Sequence, residues 1–238
     1  MDSPKELADV SSFFYYVLVN RVNNMSDATV IIADDHPLFR TALKQAIHQC
    51  LDTQSVLEAE NVTDLLACIE DNPQLELVFL DLHMPGNNGF TALTQLQNHH
   101  PDLLVIMVSS DDAPEIIQRA IDFGAAAFIP KSADLDLIAE AISDVLDGQI
   151  WLPDAIDLPT TSEREANKKL AQQLAGLTPQ QYVVLSRIAD GQLNKQIAYD
   201  LDIKETTVKK HVSAILEKLG VSNRTMAGML FQQLNLNR

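Results

Sequence analysis

Asp34, Asp35, Asp81, Ser109 and Lys131 each stand at or just past the end of an apolar run. The runs are Thr29-Val30-Ile31-Ile32-Ala33, Leu77-Val78-Phe79-Leu80, Leu103 to Val108 and Ala126 to Ile129. Short apolar runs bounded by turn residues read as strands buried on both faces, the kind that build parallel α/β sheets. Open sheets of that class keep their chemistry at the C-terminal mouths of the strands. If the first of these strands lies beside the one that ends at Asp81, the three carboxylates meet at a topological switch point. Clustered carboxylates raise one another's pKa unless a hard cation neutralises them. Oxygen-only ligation suits Mg²⁺ (or Mn²⁺), which keeps waters and also binds phosphate oxygens. With a hydroxyl at Ser109 and an ammonium at Lys131, the set contains what is needed to form and stabilise an aspartyl phosphate.

Each residue also has a plainer role. Asp34-Asp35, Asp81 and Ser109 can cap the helices that follow them, and Lys131 can be a solvated charge. Their arrival in order at successive strand ends is what argues for a shared site.

The elements that position them alternate along the chain. Pro37 opens a helix that runs from Leu38 to Cys50, a short strand covers Ser55 to Ala59, and a helix covers Val62 to Ile69. Further helices are expected at about Gly89 to His99, Pro114 to Phe123 and Asp134 to Asp147. Five strands alternating with five helices give a βαβ array and a parallel sheet, a flavodoxin-like doubly wound fold. From Gly148 to Thr161 the periodicity is lost and prolines appear, which marks a linker. Ser162-Glu163-Arg164-Glu165 has capping-box spacing for a helix through Leu174. The remainder, from Gly176, reads as four helices without a strand, at about Pro179 to Ala189, Asn194 to Leu201, Glu205 to Leu219 and Asn223 to Leu234. The expected organisation is an extension over 1–26, an α/β domain over 27–150, a linker over 151–175 and an all-α domain over 176–238.

Composition sets outer bounds. Hydrophobic residues at 46% and charged residues at 21% describe an ordinary globular protein, and the net charge is −16. The charge is uneven: residues 1–175 carry 9 Lys+Arg against 28 Asp+Glu, a net −19, whereas residues 176–238 carry 8 against 5, a net +3. Only the C-terminal part is therefore suited to approach a polyanion. Cys50 and Cys68 are too few for a disulfide framework or a zinc site and read as reduced structural thiols in a cytoplasmic compartment. No apolar run approaches a membrane span in length, so no membrane association is expected. The run Phe13 to Val19 lacks the basic flank and cleavage site of a secretory signal. It reads as a docking segment, or residues 1–24 are an artefact of gene calling with Met25 as the true start.

In the expected helix Glu205 to Leu219, Val208, Val212, Ile215, Leu216 and Leu219 share one face and Thr206, Lys209, Lys210, Ser213 and Glu217 the other. A polar face with lysines near its N-terminal half suits a major groove, though it also describes any solvated amphipathic helix.

With these residues in view, residues 29–147 resemble a response-regulator receiver domain: the acidic pair, Asp81 in an Asp-x-x-Met-Pro-Gly context, Ser109, and Lys131 after Pro130. Leu177-Thr178-Pro179, Leu193 to Ala198, Thr207 to His211 and Lys218 to Thr225 resemble the LuxR-type helix-turn-helix, and the whole resembles the NarL/FixJ class of response regulators. The resemblance implies that Asp81 accepts a phosphoryl group from a sensor histidine kinase. It implies a Mg²⁺ (or Mn²⁺) ion held directly by Asp35, Asp81 and the backbone carbonyl of His83, and by Asp34 through water, with Ser109 and Lys131 on the phosphoryl group. Phe128, three residues before Lys131, matches the aromatic switch position, although plain core packing accounts for it equally well. Lys209, Lys210 and Ser213 are implied to reach base edges of double-stranded DNA, and Asn194, Lys195, Thr207 and His211 to touch phosphates. The phosphorylated form is implied to be a homodimer, with the last helix as a dimer surface. Two departures stand out: Lys204 replaces the usual capping Ser, and Gln180-Gln181 replaces a basic-acidic pair.

Two other classes compete with a phosphorylation-switched transcription regulator. Aspartate-nucleophile phosphatases carry a second Asp two residues past the nucleophile, where this chain has His83, so no enzyme activity beyond slow self-dephosphorylation is expected. A phosphate-independent interaction protein with the same fold usually lacks the acidic pair or the Lys, and this chain has both.

Overall fold

Strands β1 (Thr29–Ala33), β2 (Val56–Ala59), β3 (Leu75–Asp81), β4 (Leu104–Ser109) and β5 (Ala127–Pro130) form one parallel sheet in the order β2-β1-β3-β4-β5. The computed structural model describes residues 29–51, 55–153 and 161–235. The N-terminal extension, with the Phe13–Val19 run and Met25, lies outside the described residues, as do residues 154–160 of the expected linker. Ten helices occur among the described residues. They are α1 (Pro37–Cys50), α2 (Val62–Asp71), α3 (Thr91–His99), α4 (Pro114–Asp122), α5 (Leu135–Leu146), α6 (Thr161–Ala175), α7 (Pro179–Ala189), α8 (Asn194–Asp200), α9 (Glu205–Leu219) and α10 (Arg224–Gln232).

The contacts gather into two compact units. The first contains the sheet with α1, α2 and α5, and its core follows from strand periodicity. Val30, Ile32, Leu77, Phe79, Ile106, Val108, Ala127 and Ile129 alternate along four strands and pack against Leu43 and Ile47 of α1 and Ile138, Ile142 and Val145 of α5. The residues between them, among them Ile31, Val78, Leu80, Met107 and Phe128, are buried as well, so these strands carry the continuous apolar runs seen in the sequence. Trp151 lies just where the sequence loses its period, yet it pairs in parallel with Ala127 and is buried in this core. An indole of that size gains more from burial than a linker position allows, and its Nε1 still reaches Glu140.

The second unit gathers α3 and α4 with α6 to α10. Tyr182 of α7 is buried there, sharing a 2.6 Å hydrogen bond with Thr94 Oγ1 and donating to the Thr91 carbonyl at 3.0 Å. That burial pushes its phenol pKa up, so the hydroxyl stays a donor. Helix α6 begins at Thr161, one residue before the expected start, and Cys50 and Cys68 are both free thiols.

Arg40 of α1 is 7% exposed, and its guanidinium ties the first unit together. Nη1 donates to the Asp34 carbonyl at 2.7 Å, Nη2 to Glu60 at 2.7 Å, and Nε to Glu58 of β2, which Lys44 also contacts. The Lys44 hydrogen bond, and then that of Arg40, hold the Glu58 carboxyl below its ordinary pKa against the opposing effect of burial. A carboxyl depressed in the fold contributes stability above its unfolded pKa of about 4.3 and loses it as pH falls through the folded value. We therefore expect Glu58→Gln to be less stable than the parent at pH 7 in urea titrations, with the gap closing as the pH is lowered below about 4. A gap independent of pH would show that the Glu58 charge does not matter.

Candidate functional site

Strand order alone places the acidic residues together. β1 is flanked by β2 and β3, and the register pairs Ala33 with Leu80, so Asp34 emerges beside Asp81 at the C-terminal mouth. Asp81 in turn pairs with Val108, which puts Ser109 one step beyond it, and Ser109 pairs with Pro130, which puts Lys131 last in the series. The condition set by the sequence, that the first and third strands be neighbours, is met, and the switch point lies between β1 and β3.

Asp34 and Asp81 are buried, at 0% and 1% exposure, and Lys131 Nζ bridges them at 2.7 Å from Asp34 Oδ2 and 2.8 Å from Asp81 Oδ2. The approach to Asp34 Oδ2 is an ion pair without hydrogen-bond geometry, so this buried oxygen has charge compensation but no directed donor. Asp34 Oδ1 accepts the His36 backbone N–H at 2.7 Å, and Asp81 Oδ1 accepts that of His83 at 3.1 Å. Ser109 is fully buried, its Oγ accepting the Asp111 N–H at 3.0 Å while its carbonyl accepts the Lys131 N–H at 2.8 Å. Asp35 is more open, and Phe128 is fully buried in β5.

Ligand atoms of Asp34, Asp35, His36 and Asp81 all lie within 4.8 Å of one another. Three carboxylates face a single ammonium, so the cluster carries excess negative charge that a divalent cation would balance, and its oxygens suit a hard ion. The residues present therefore fit Mg²⁺ or Mn²⁺.

Two residues that the sequence reading passed over stand at this mouth. His36 turns its Nδ1 to 2.7 Å from Asp35 and 3.1 Å from Asp34, and Arg40 holds the Asp34 carbonyl. The only signal for His36 was its position directly after the acidic pair. For Arg40 it was a cation six residues past Asp34, on a helix expected to pack against the sheet.

The other expected site residues lie in the second unit. Lys209, Lys210 and Ser213 are exposed on α9, opposite buried Val208, Ile215 and Leu219. Lys209 pairs with Glu205 one turn earlier at 2.9 Å, and Ser213 donates to the Lys209 carbonyl. Lys195 is exposed, whereas Asn194 and Thr207 are half-buried and Asn194 accepts from Arg224 at 3.0 Å. His211 is half-buried, with Nε2 enclosed and without a hydrogen bond. Lys204 occupies the N-cap of α9 with no side-chain cap, as its type dictates. Gln181, one of the two departures, completes a capping box with Thr178 at the start of α7 and so replaces an acidic residue without loss of the cap.

Residues 30–143 match the family model described as the response regulator receiver domain, and residues 175–231 match that of the bacterial regulatory proteins of the luxR family. The chain is 40% identical over 203 residues to a glycerol metabolism activator of Pseudomonas putida, covering 83% of this chain and 92% of that protein. It is 31% identical over 213 residues to the nitrate/nitrite response regulator NarL of Escherichia coli K12, covering 89% and 98%. Among solved structures, the isolated receiver domain of RcsB from Salmonella enterica serovar Typhimurium superimposes with a TM-score of 0.51 at 24% identity, covering 56% of this chain and 99% of that one, a likeness of fold. Two family models in the right order, and relatives matched over almost their whole length, give one conclusion: this chain belongs to the response regulators that join a receiver domain to a LuxR-type helix-turn-helix domain.

Proposed function

We propose that Asp81 is the phosphoacceptor of a sensor histidine kinase and that its phosphorylation controls binding of α9 to double-stranded DNA. The observation that carries this is the convergence of Asp34, Asp35, Asp81 and Lys131 at one strand mouth, with Ser109 on the neighbouring strand end. In the transfer, an Asp81 carboxylate oxygen attacks the phosphorus of the kinase's phosphohistidine. The O–P bond forms, the P–N bond breaks, and the electron pair returns to the kinase imidazole. Bound Mg²⁺ (or Mn²⁺), held by Asp34, Asp35, Asp81 and the His83 carbonyl, would offset charge on the transferring oxygens. Lys131 already touches Asp81 and is placed to follow the new negative charge, and Ser109 offers its hydroxyl to the same group.

The chain is then a signalling protein and not an enzyme with turnover. A compartment shared with DNA makes it cytoplasmic. No helix among the described residues is long and apolar enough to cross a membrane. Phe128 is the residue we assign to the switch between receiver states, and Ser109 the residue it follows. The receiver occupies 27–150 and the DNA-binding domain 176–238.

On α9, Lys209, Lys210 and Ser213 are assigned to base edges, and Thr207, His211, Asn194 and Lys195 to the phosphate backbone. Helix α10 leaves Met226 and Met229 exposed and is the surface we assign to a homodimer, which suits paired half-sites.

Asp81→Asn is expected to abolish incorporation of phosphoryl from a small phosphodonor in Mg²⁺, read by mass, and unchanged labelling would remove Asp81 from the role. Lys209→Ala with Lys210→Ala is expected to weaken DNA binding and make the plot of log K against log salt shallower by up to about 1.8, since each neutralised phosphate contributes about 0.9. Identical slopes would take both lysines out of the interface. Beryllofluoride with Mg²⁺ is expected to convert monomer to dimer in sedimentation and to tighten DNA binding. If neither changes, the chain works as a phosphate-independent interaction protein.

A further inference from the structure

We infer that helix α6, which lies between the two regions matched by the family models, is the element that carries a change in the receiver to the C-terminal end of α9. The inference rests on the proposed control of DNA binding by phosphorylation of Asp81 and names the part of the chain that transmits it.

Within the second unit, three amide side chains tie α6 to its neighbours. Asn167 Nδ2 donates at 3.1 Å to Asp122 Oδ2, at the end of α4. Asn98 of α3 donates through Nδ2 to the carbonyls of Leu174 and Leu177 at 2.8 Å each, and so holds the C-terminal end of α6. Gln173 Nε2 donates at 2.8 Å to the carbonyl of Leu219. That carbonyl closes α9 and belongs to the last turn, whose acceptors have no partner inside the helix. Leu170 and Leu174 are buried, so α6 is seated by apolar packing as well as by these bonds. One helix therefore joins α3 and α4 to the end of α9.

The seam between α4 and α6 has the chemistry of a surface that can part. The Asp122 side chain has no exposed area, yet its carboxylate is met by two neutral amides, Gln118 at 2.8 Å on Oδ1 and Asn167 on Oδ2. Arg164 Nε of α6 stands 3.9 Å from Oδ1. Gln118 Oε1, Asn98 Oδ1 and Arg164 Nε are enclosed without a hydrogen bond. Buried polar atoms left unpaired cost free energy that water restores when the surface opens, so this seam is held less firmly than an apolar one. Chain order puts it downstream of the phosphoryl site. Helix α4 is the helix that follows Ser109, and the Ser109 Oγ accepts the Asp111 N–H between them. A shift of Ser109 toward a phosphoryl group breaks that bond and frees the start of α4, whose other end carries Asp122.

The test uses the full chain in Mg²⁺ and a duplex selected by the parent from a random-sequence pool. Its reading is the ratio of DNA affinities with and without beryllofluoride. Asn167→Ala and Gln173→Ala each remove one tie at a half-buried position where alanine favours the helix, and Gln172→Ala at an exposed position is the control. Each of the first two is expected to shrink the ratio at least about two-fold, the scale on which single residues alter coupling between sites. Phosphoryl labelling of Asp81 and the ratio for Gln172→Ala are expected to stay at the parent level. Hydrogen exchange of the parent gives a reading without substitution: beryllofluoride is expected to speed exchange in α6 and leave α5 unchanged. Parent-level ratios in both variants, lost labelling in either, an equal loss in Gln172→Ala, or unaltered exchange in α6 overturns the inference and leaves phospho-control of DNA binding standing. A parent whose DNA affinity ignores beryllofluoride overturns that control and the inference with it.

Discussion

Asp34 and Asp81 are both buried, and one ammonium, Lys131, lies within 2.8 Å of each. Taking a carboxylate out of water costs several kcal/mol unless an opposite charge compensates it, by roughly the scale of the desolvation of a single ion. Two carboxylates sharing one ammonium, with Asp35 and His36 at the rim, leave the mouth under-neutralised. That imbalance is the constraint on which the rest of the receiver depends. It makes a divalent ion favourable, and it gives Lys131 a reason to follow any new negative charge placed on Asp81. The sheet order β2-β1-β3-β4-β5 serves this one arrangement, because any order that separated β1 from β3 would leave Asp34 away from Asp81.

The C-terminal helices answer a different electrostatic requirement. A chain with net −16 must keep most of its surface away from a polyanion, and the local +3 over residues 176–238 gives only a modest attraction. The geometry of α9 sharpens this. Lys209 is already paired with Glu205, so on the reading proposed for α9 contact with DNA would exchange one exposed ion pair for another, and a net gain would come from released counterions and not from the charge count. Lys204 supplies no side-chain cap to α9, and its backbone carbonyl accepts the Thr207 and Val208 N–H groups instead, at 2.8 and 3.2 Å.

Strand identity was legible because the buried strands have no polar interruption: Val30 to Ala33 and Leu77 to Leu80 are fully buried, and their composition admits little else. The polar residues that end those strands were legible for the same reason. Strand order was not, since parallel pairing is set by long connections and leaves no local mark; the sequence could state it only as a condition. His36 and Arg40 were missed because a histidine beside two acids and an arginine on an amphipathic helix each have ordinary surface readings, and only the fold shows one turned onto carboxylates and the other buried. Trp151 falls in the stretch whose sequence marks a linker, because a single buried residue carries no period. Gln181 was read as a departure from a family pattern, although Thr178 to Gln181 has the spacing of a capping box and its chemistry was visible without any comparison.

The same physical account joins the edge of the sheet to its chemistry. Asp34 is gripped at both ends: Arg40 holds its backbone carbonyl at 2.7 Å, and Lys131 and the His36 N–H hold its carboxylate at 2.7 Å each. Arg40 is in turn fixed by Glu58 in the edge strand β2 and by Glu60 just past its end. A carboxylate so constrained loses little further freedom when it binds an ion, which is how preorganisation raises affinity without an added contact. Asp35, open at the rim, is held more lightly, by the His36 imidazole at 2.7 Å. The acidic pair is therefore two unlike carboxylates, one gripped by the fold and one open at its rim, despite being adjacent and chemically identical in the sequence.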